Sequence, residues 1–150
     1  MPHVEAPRPA DSHLPVFFNL DSSVGNRGAN SNHDDILLVQ FLLKAMTLRV
    51  TTPEGALAKP ILSRTPQTGV VDQATIESIM TFQEAQKKKG NAKVVDGRVS
   101  PAKGYRYNGG FYTIVLLNGL LREDFRHQWP RLDQIPGCPG RITQLMGKLL

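Results

Sequence analysis

The stretch Gly69-Val70-Val71-Asp72-Gln73-Ala74-Thr75-Ile76-Glu77-Ser78-Ile79-Met80-Thr81-Phe82-Gln83 decides how the chain is read. Gly69 suits a tight turn. Asp72 is a good N-cap, because its carboxylate can accept from amides that the first helical turn leaves unpaired. Behind it Ile76, Ile79, Met80 and Phe82 recur at helical spacing and predict the buried stripe of a helix that ends at Lys89 and Gly90. The run Lys87, Lys88, Lys89 falls where cations offset the negative end of a helix dipole, so it reads first as a helix ending.

Upstream, Asp34 or Asp35 is placed to cap an earlier helix whose apolar positions are Ile36, Val39, Leu42, Leu43 and Met46. Between the two helices the periodicity breaks: Thr51-Thr52-Pro53-Glu54-Gly55 reads as a turn, with flanks between Thr47 and Thr68 able to pair as a short hairpin. Before the first helix lie a loop, Val24 to Asn32, and an apolar docking segment, Val16 to Leu20. Residues 1–15 carry four prolines and little apolar surface, and are expected to form a flexible arm.

Downstream, residues 91–110 form a long loop that contains Asp96-Gly97-Arg98-Val99-Ser100-Pro101. A third helix is expected from Tyr112 to Arg126, with Val115, Leu116, Gly119, Leu120 and Phe125 along it, and a last one from Arg141 to Leu150. The expected fold is mainly α: a small three-helix orthogonal bundle with long Gly/Asp/Pro loops, an extra C-terminal helix and the short hairpin. The domain runs over 16–150, with Val39, Leu43, Ile76, Ile79, Phe82 and Leu116 in one core.

Composition bounds the partners. With 40% hydrophobic and 21% charged residues the chain belongs with ordinary globular proteins, which excludes collagen-like, coiled-coil and wholly disordered classes. Gln40 and Asn118 interrupt the longest apolar runs well short of the roughly 18 residues that a membrane span needs. The net charge of +5 favours anionic partners: nucleic acid, anionic lipid or cell-wall polymer. Nucleic acid is disfavoured, since the basic residues do not line one helix face. Met1 to Ala10 lack the basic cluster and apolar stretch of a Sec signal, and the sequence does not choose a location: periplasm or envelope if another route exports the chain, otherwise cytoplasm.

A faint internal echo runs through the chain. Val39-Gln40 with Leu43 resembles Phe82-Gln83, and Gly69-x-x-Asp72 resembles Asp96-Gly97-x-Val99. Because Gln40 and Gln83 each follow an apolar core residue, their amides are expected to bond loop backbone.

Taken in order, these pieces resemble the peptidoglycan-binding domain of bacterial wall hydrolases, including a subgroup seen in secretion-system and phage-associated proteins. The resemblance covers residues 24–122 and is carried by Val39, Gln40 and Leu43; Gly69, Asp72 and Thr75; Phe82 and Gln83; Asp96, Gly97, Val99 and Pro101; and Thr113, Leu117 and Asn118. The chain departs from the pattern in the length of Thr47 to Thr68, in Ser100 where the family usually has glycine, and in an insertion from Lys103 to Phe111. The resemblance implies a non-catalytic module that binds peptidoglycan or muropeptides. The alternative is an adaptor or accessory factor of a bacterial secretion or phage apparatus, whose partner is a protein.

A muropeptide offers carboxylates, amides and sugar faces. Arginine forks onto carboxylates, tyrosine stacks on sugars and asparagine pairs with amides, so Arg98, Tyr105, Arg106, Tyr107 and Asn108 are the candidate ligand-binding residues. Catalytic signals are poor. His3, His13, His33 and His127 show no metal-ligand spacing, Asp34 and Asp35 are accounted for by helix capping, and Glu123 with His127 reads as a surface ion pair. Cys138, the single cysteine, sits in a turn with no neighbouring histidine, and it precludes an intramolecular disulfide. No enzyme activity, metal or cofactor is expected.

Overall fold

The run from Ile36 to Leu43 is apolar on every side except at Gln40, and a helix of that kind has to be enclosed. In a computed structural model that describes residues 1–6, 14–104, 106, 107 and 109–150, with the backbone alone for Arg106 and Tyr107, it is enclosed. Helix α1, His33–Ala45, buries every residue from Asp35 to Leu43. Around it pack α3 (Gln73–Lys88), α4 (Thr113–Asp124) and α5 (Gly140–Leu149). The fold is mainly α, and among the described residues five α-helices are joined by two-stranded pairings and a 3-10 turn at Leu132–Gln134.

The cap of α1 is Asn32, whose side chain accepts from the Asp35 amide, and neither Asp34 nor Asp35 takes that place. Both carboxylates are engaged elsewhere. Asp34 is forked by Arg141 of α5 at 2.9 Å on each oxygen, and Asp35 turns inward to accept from the amides of Asp21 and Ser22.

The expected hairpin between Thr47 and Thr68 is replaced by a helix, α2, Pro53–Leu62. The residues that suggested a turn start it: Thr52 caps by accepting from the Gly55 amide, and Pro53 occupies the first turn, where its missing N–H is no loss. Ala58 and Leu62 are buried, and α2 lies against α3.

Asp72 caps α3 as the sequence predicts, accepting from the Thr75 amide at 2.9 Å. Ile79 and Phe82 are buried, but Ile76 is half-buried and Met80 is exposed, so the inward face is Thr75, Ser78, Ile79, Phe82, Gln83 and Gln86. The face is more polar than a hydrophobic pattern can reveal, because its amides and hydroxyls serve the loops. In α4 the inward face is Ile114, Val115, Leu117, Asn118 and Leu121, with Leu116 and Leu120 only half-buried. Leucines on both faces hide the phase of this helix.

Short strands hold the loops to the helices. β1 (His3–Glu5) pairs antiparallel with β2 (Phe17–Asn19), so residues 1–6 of the expected flexible arm are docked, with Val4 against the core; residues 7–13 lie outside the described residues. Asn118 replaces a missing strand neighbour for β2: its Oδ1 accepts from the Phe18 amide at 2.7 Å and its Nδ2 donates to the Phe18 carbonyl at 3.0 Å. β3 (Val24–Gly25) pairs with β4 (Arg98–Val99), and β5 (Arg106–Tyr107) with β6 (Gly110–Phe111). No helix among the described residues is long and apolar enough to cross a membrane.

Candidate functional site

The site grows from the side chain of Gln83, buried on α3. Its Oε1 accepts from the amides of Asp96 (3.1 Å) and Gly97 (2.9 Å), and its Nε2 faces the Arg98 carbonyl, Asp96 Oδ1 and Thr113 Oγ1 at 3.0, 3.1 and 3.1 Å. One amide therefore fixes the turn before β4 and the first residue of α4 at once. Gly97 stands at φ +71°, a conformation that strains any residue with a side chain, and an added Cβ would come within 3.1–3.3 Å of Met80, Ile76 and Asn26.

Held in this way, the loop 92–103 and the start of α4 enclose a cleft of about 410 Å³. Lys93, Asp96, Arg98, Lys103, Phe111 and Tyr112 are among the side chains that line it, with Gln83 and Thr113. The Asp96 carboxylate is already taken: it accepts from Gln83 and from the Arg98 amide, and pairs with the Arg98 guanidinium at 3.6 Å. Lys93 and Lys103 are exposed and have no carboxylate among the described residues within ion-pair distance. The cleft is thus cationic in excess. Tyr112, at the N-cap of α4, makes no capping bond with its side chain. An anion in the cleft would meet two ammonium groups, one guanidinium and the positive end of a helix.

Of the residues expected to bind ligand, the structure places Arg98 in this cleft. Tyr105 and Asn108 lie outside the described residues, as do the side chains of Arg106 and Tyr107, whose backbone forms β5. Lys93, Lys103 and Tyr112 were not singled out by sequence reasoning. Their signal was available only as position, since they flank the Asp96-Gly97 turn and open α4.

Glu123 pairs with Arg126 at 2.8 Å, and His127 is exposed. The Cys138 thiol is half-buried, which pushes its pKa up and disfavours the nucleophilic thiolate. Among the described residues no group of three or more His, Cys, Asp or Glu side chains is arranged to hold a metal ion. No family model, curated protein or solved structure matches the chain.

Proposed function

We propose that the protein is a non-catalytic module that binds peptidoglycan through the cleft between the 92–103 loop and α4. The observation that carries this reading is the cleft itself. A concave site with unpaired cations and aromatic rings suits a ligand that combines carboxylates with sugar faces. The proposal takes α1, α3 and α4, with the turns clamped by Gln40 and Gln83, as the three-helix bundle of the peptidoglycan-binding domain; α2 is then an insertion and α5 an extension. The motif residues that suggested the family act as fold-keeping groups, and the ligand contacts come from the loop around them.

Titrating a soluble disaccharide-tetrapeptide into isotope-labelled protein tests this. Amide shifts are expected to concentrate at Lys93, Asp96, Arg98, Lys103 and Thr113.

One observation favours the adaptor reading. Leu57 on α2 is 78% exposed and Leu48, just before that helix, is 46% exposed, and exposed leucines suit a protein contact. In the titration this reading predicts no shifts at the cleft.

A further inference from the structure

The Asp96–Arg98 pair is a wall with space on both sides. Beyond it lies a second cleft of about 300 Å³, lined by Asn26, Arg27, Met80 and Val95 and sharing Asp96 and Arg98 with the first. The two shared side chains, paired at 3.6 Å, are each about 35% exposed. The far side is firmly built. Asn26 donates from its amide to the Gly97 carbonyl at 2.8 Å and from its side chain to the Asp96 carbonyl at 3.3 Å, which ties the 24–32 loop to the clamped turn. Arg27 is exposed at φ +56°, an uncommon backbone conformation for a residue with a side chain, and no carboxylate among the described residues pairs with it.

Resting on the peptidoglycan reading above, we infer that the two clefts form one trough, and that its ligand is a length of glycan strand carrying more than one peptide stem. The order of charge along the trough is the argument. Arg27 stands on one side, Arg98 at the divider, and Lys93 and Lys103 on the other side. Cations distributed over two clefts that share Asp96 and Arg98 complement anionic groups that repeat along a polymer. Met80, exposed beside Arg27, gives the second subsite an apolar floor for a sugar face.

Calorimetric titration of the wild type with a disaccharide-tetrapeptide, and with two such units joined glycosidically, tests the inference. The longer ligand is expected to bind about tenfold more tightly or better, since its second unit adds contacts without a second loss of freedom. Changing Arg27→Ser together with Met80→Ala should bring the longer ligand down to the affinity of the shorter one and leave the shorter unaffected, at an unchanged melting temperature. Equal affinities in the wild type, or a variant that weakens both ligands alike, would overturn the trough while leaving the first cleft as a binding site. Equal competition by polyphosphate of similar length would also overturn it, by showing attraction to charge alone. Binding of neither ligand would remove the peptidoglycan reading and the trough with it.

Discussion

Gln40 and Gln83 share four contacts of the same kind, to which Gln83 adds a fifth, at Asp96 Oδ1. Each is a buried side chain on its helix and reaches into a turn centred on a left-handed glycine, Gly69 at φ +73° and Gly97 at φ +71°. Gln40 Oε1 accepts from Thr68 and Gly69 amides, and Gln83 Oε1 from Asp96 and Gly97 amides. On the other side, Gln40 Nε2 donates to the Val70 carbonyl and Thr75 Oγ1, while Gln83 Nε2 faces the Arg98 carbonyl and Thr113 Oγ1. Even the inner bond of the turn repeats, with Val70 N donating to Thr68 Oγ1 and Arg98 N to Asp96 Oδ1. The echo in the sequence is therefore a repeated device in which one helix positions the start of the next.

The device predicts a large loss from either glutamine. Gln40→Ala or Gln83→Ala would strand one buried and one part-buried amide donor and should cost about 2–4 kcal/mol in chemical denaturation. Gln83→Glu should be the more harmful of the two acidic variants, because its second oxygen would face the Asp96 carboxylate as well as the Arg98 carbonyl.

The two faces of α3 separate in the same measurement. Phe82→Ala removes a ring that is 3% exposed and should cost about 3–5 kcal/mol. Met80→Ala, at a surface position, should stay within about 0.5 kcal/mol of wild type.

The N-terminal residues are expected to matter. Val4 packs on the core and residues 3–5 pair with β2, so deleting residues 1–6 should destabilise by about 1–3 kcal/mol, the scale of one buried aliphatic side chain. An unchanged denaturation midpoint would show that the pairing adds nothing.

Asp34 and Asp35 respond to pH in opposite senses. The Arg141 guanidinium lowers the Asp34 pKa below 3.8, so its contribution is present at neutral pH and is lost as pH falls through the lowered value. Asp34→Asn should therefore be less stable than wild type at pH 7, with the gap closing in strong acid. Burial raises the Asp35 pKa above 3.8, and one of its oxygens has no partner, so its contribution is full below pH 3.8 and fades as pH rises through the raised value. Asp35→Asn should flatten that part of the stability profile, which thermal melting from pH 3 to 7 can follow.

What the sequence made legible was local. Asp72 and the glycine turns follow from the chemistry of neighbouring residues, and Gln40 and Gln83 from polar groups set in apolar faces. Helix α2 was missed because Thr52-Pro53 starts a turn and a helix with equal ease, and the docking of Ala58 and Leu62 chooses between them. The pairing of residues 3–5 with 17–19 and the use of Asn118 as a strand partner depend on distant backbone, which no local pattern encodes. Arg98 was read as a ligand residue from its loop, while Lys93 and Lys103 join it only once the Gln83 clamp folds the loop back.

Co-sedimentation with purified sacculi tests the central claim most directly. Wild-type protein should pellet with the sacculi, and the retained fraction should fall as salt rises, because exposed cations are screened. A variant with Lys93→Glu, Arg98→Ala and Lys103→Glu, shown to be folded by circular dichroism, should remain in the supernatant. Equal pelleting of the variant and the wild type, or a wild-type protein that never pellets, would contradict a peptidoglycan site in this cleft.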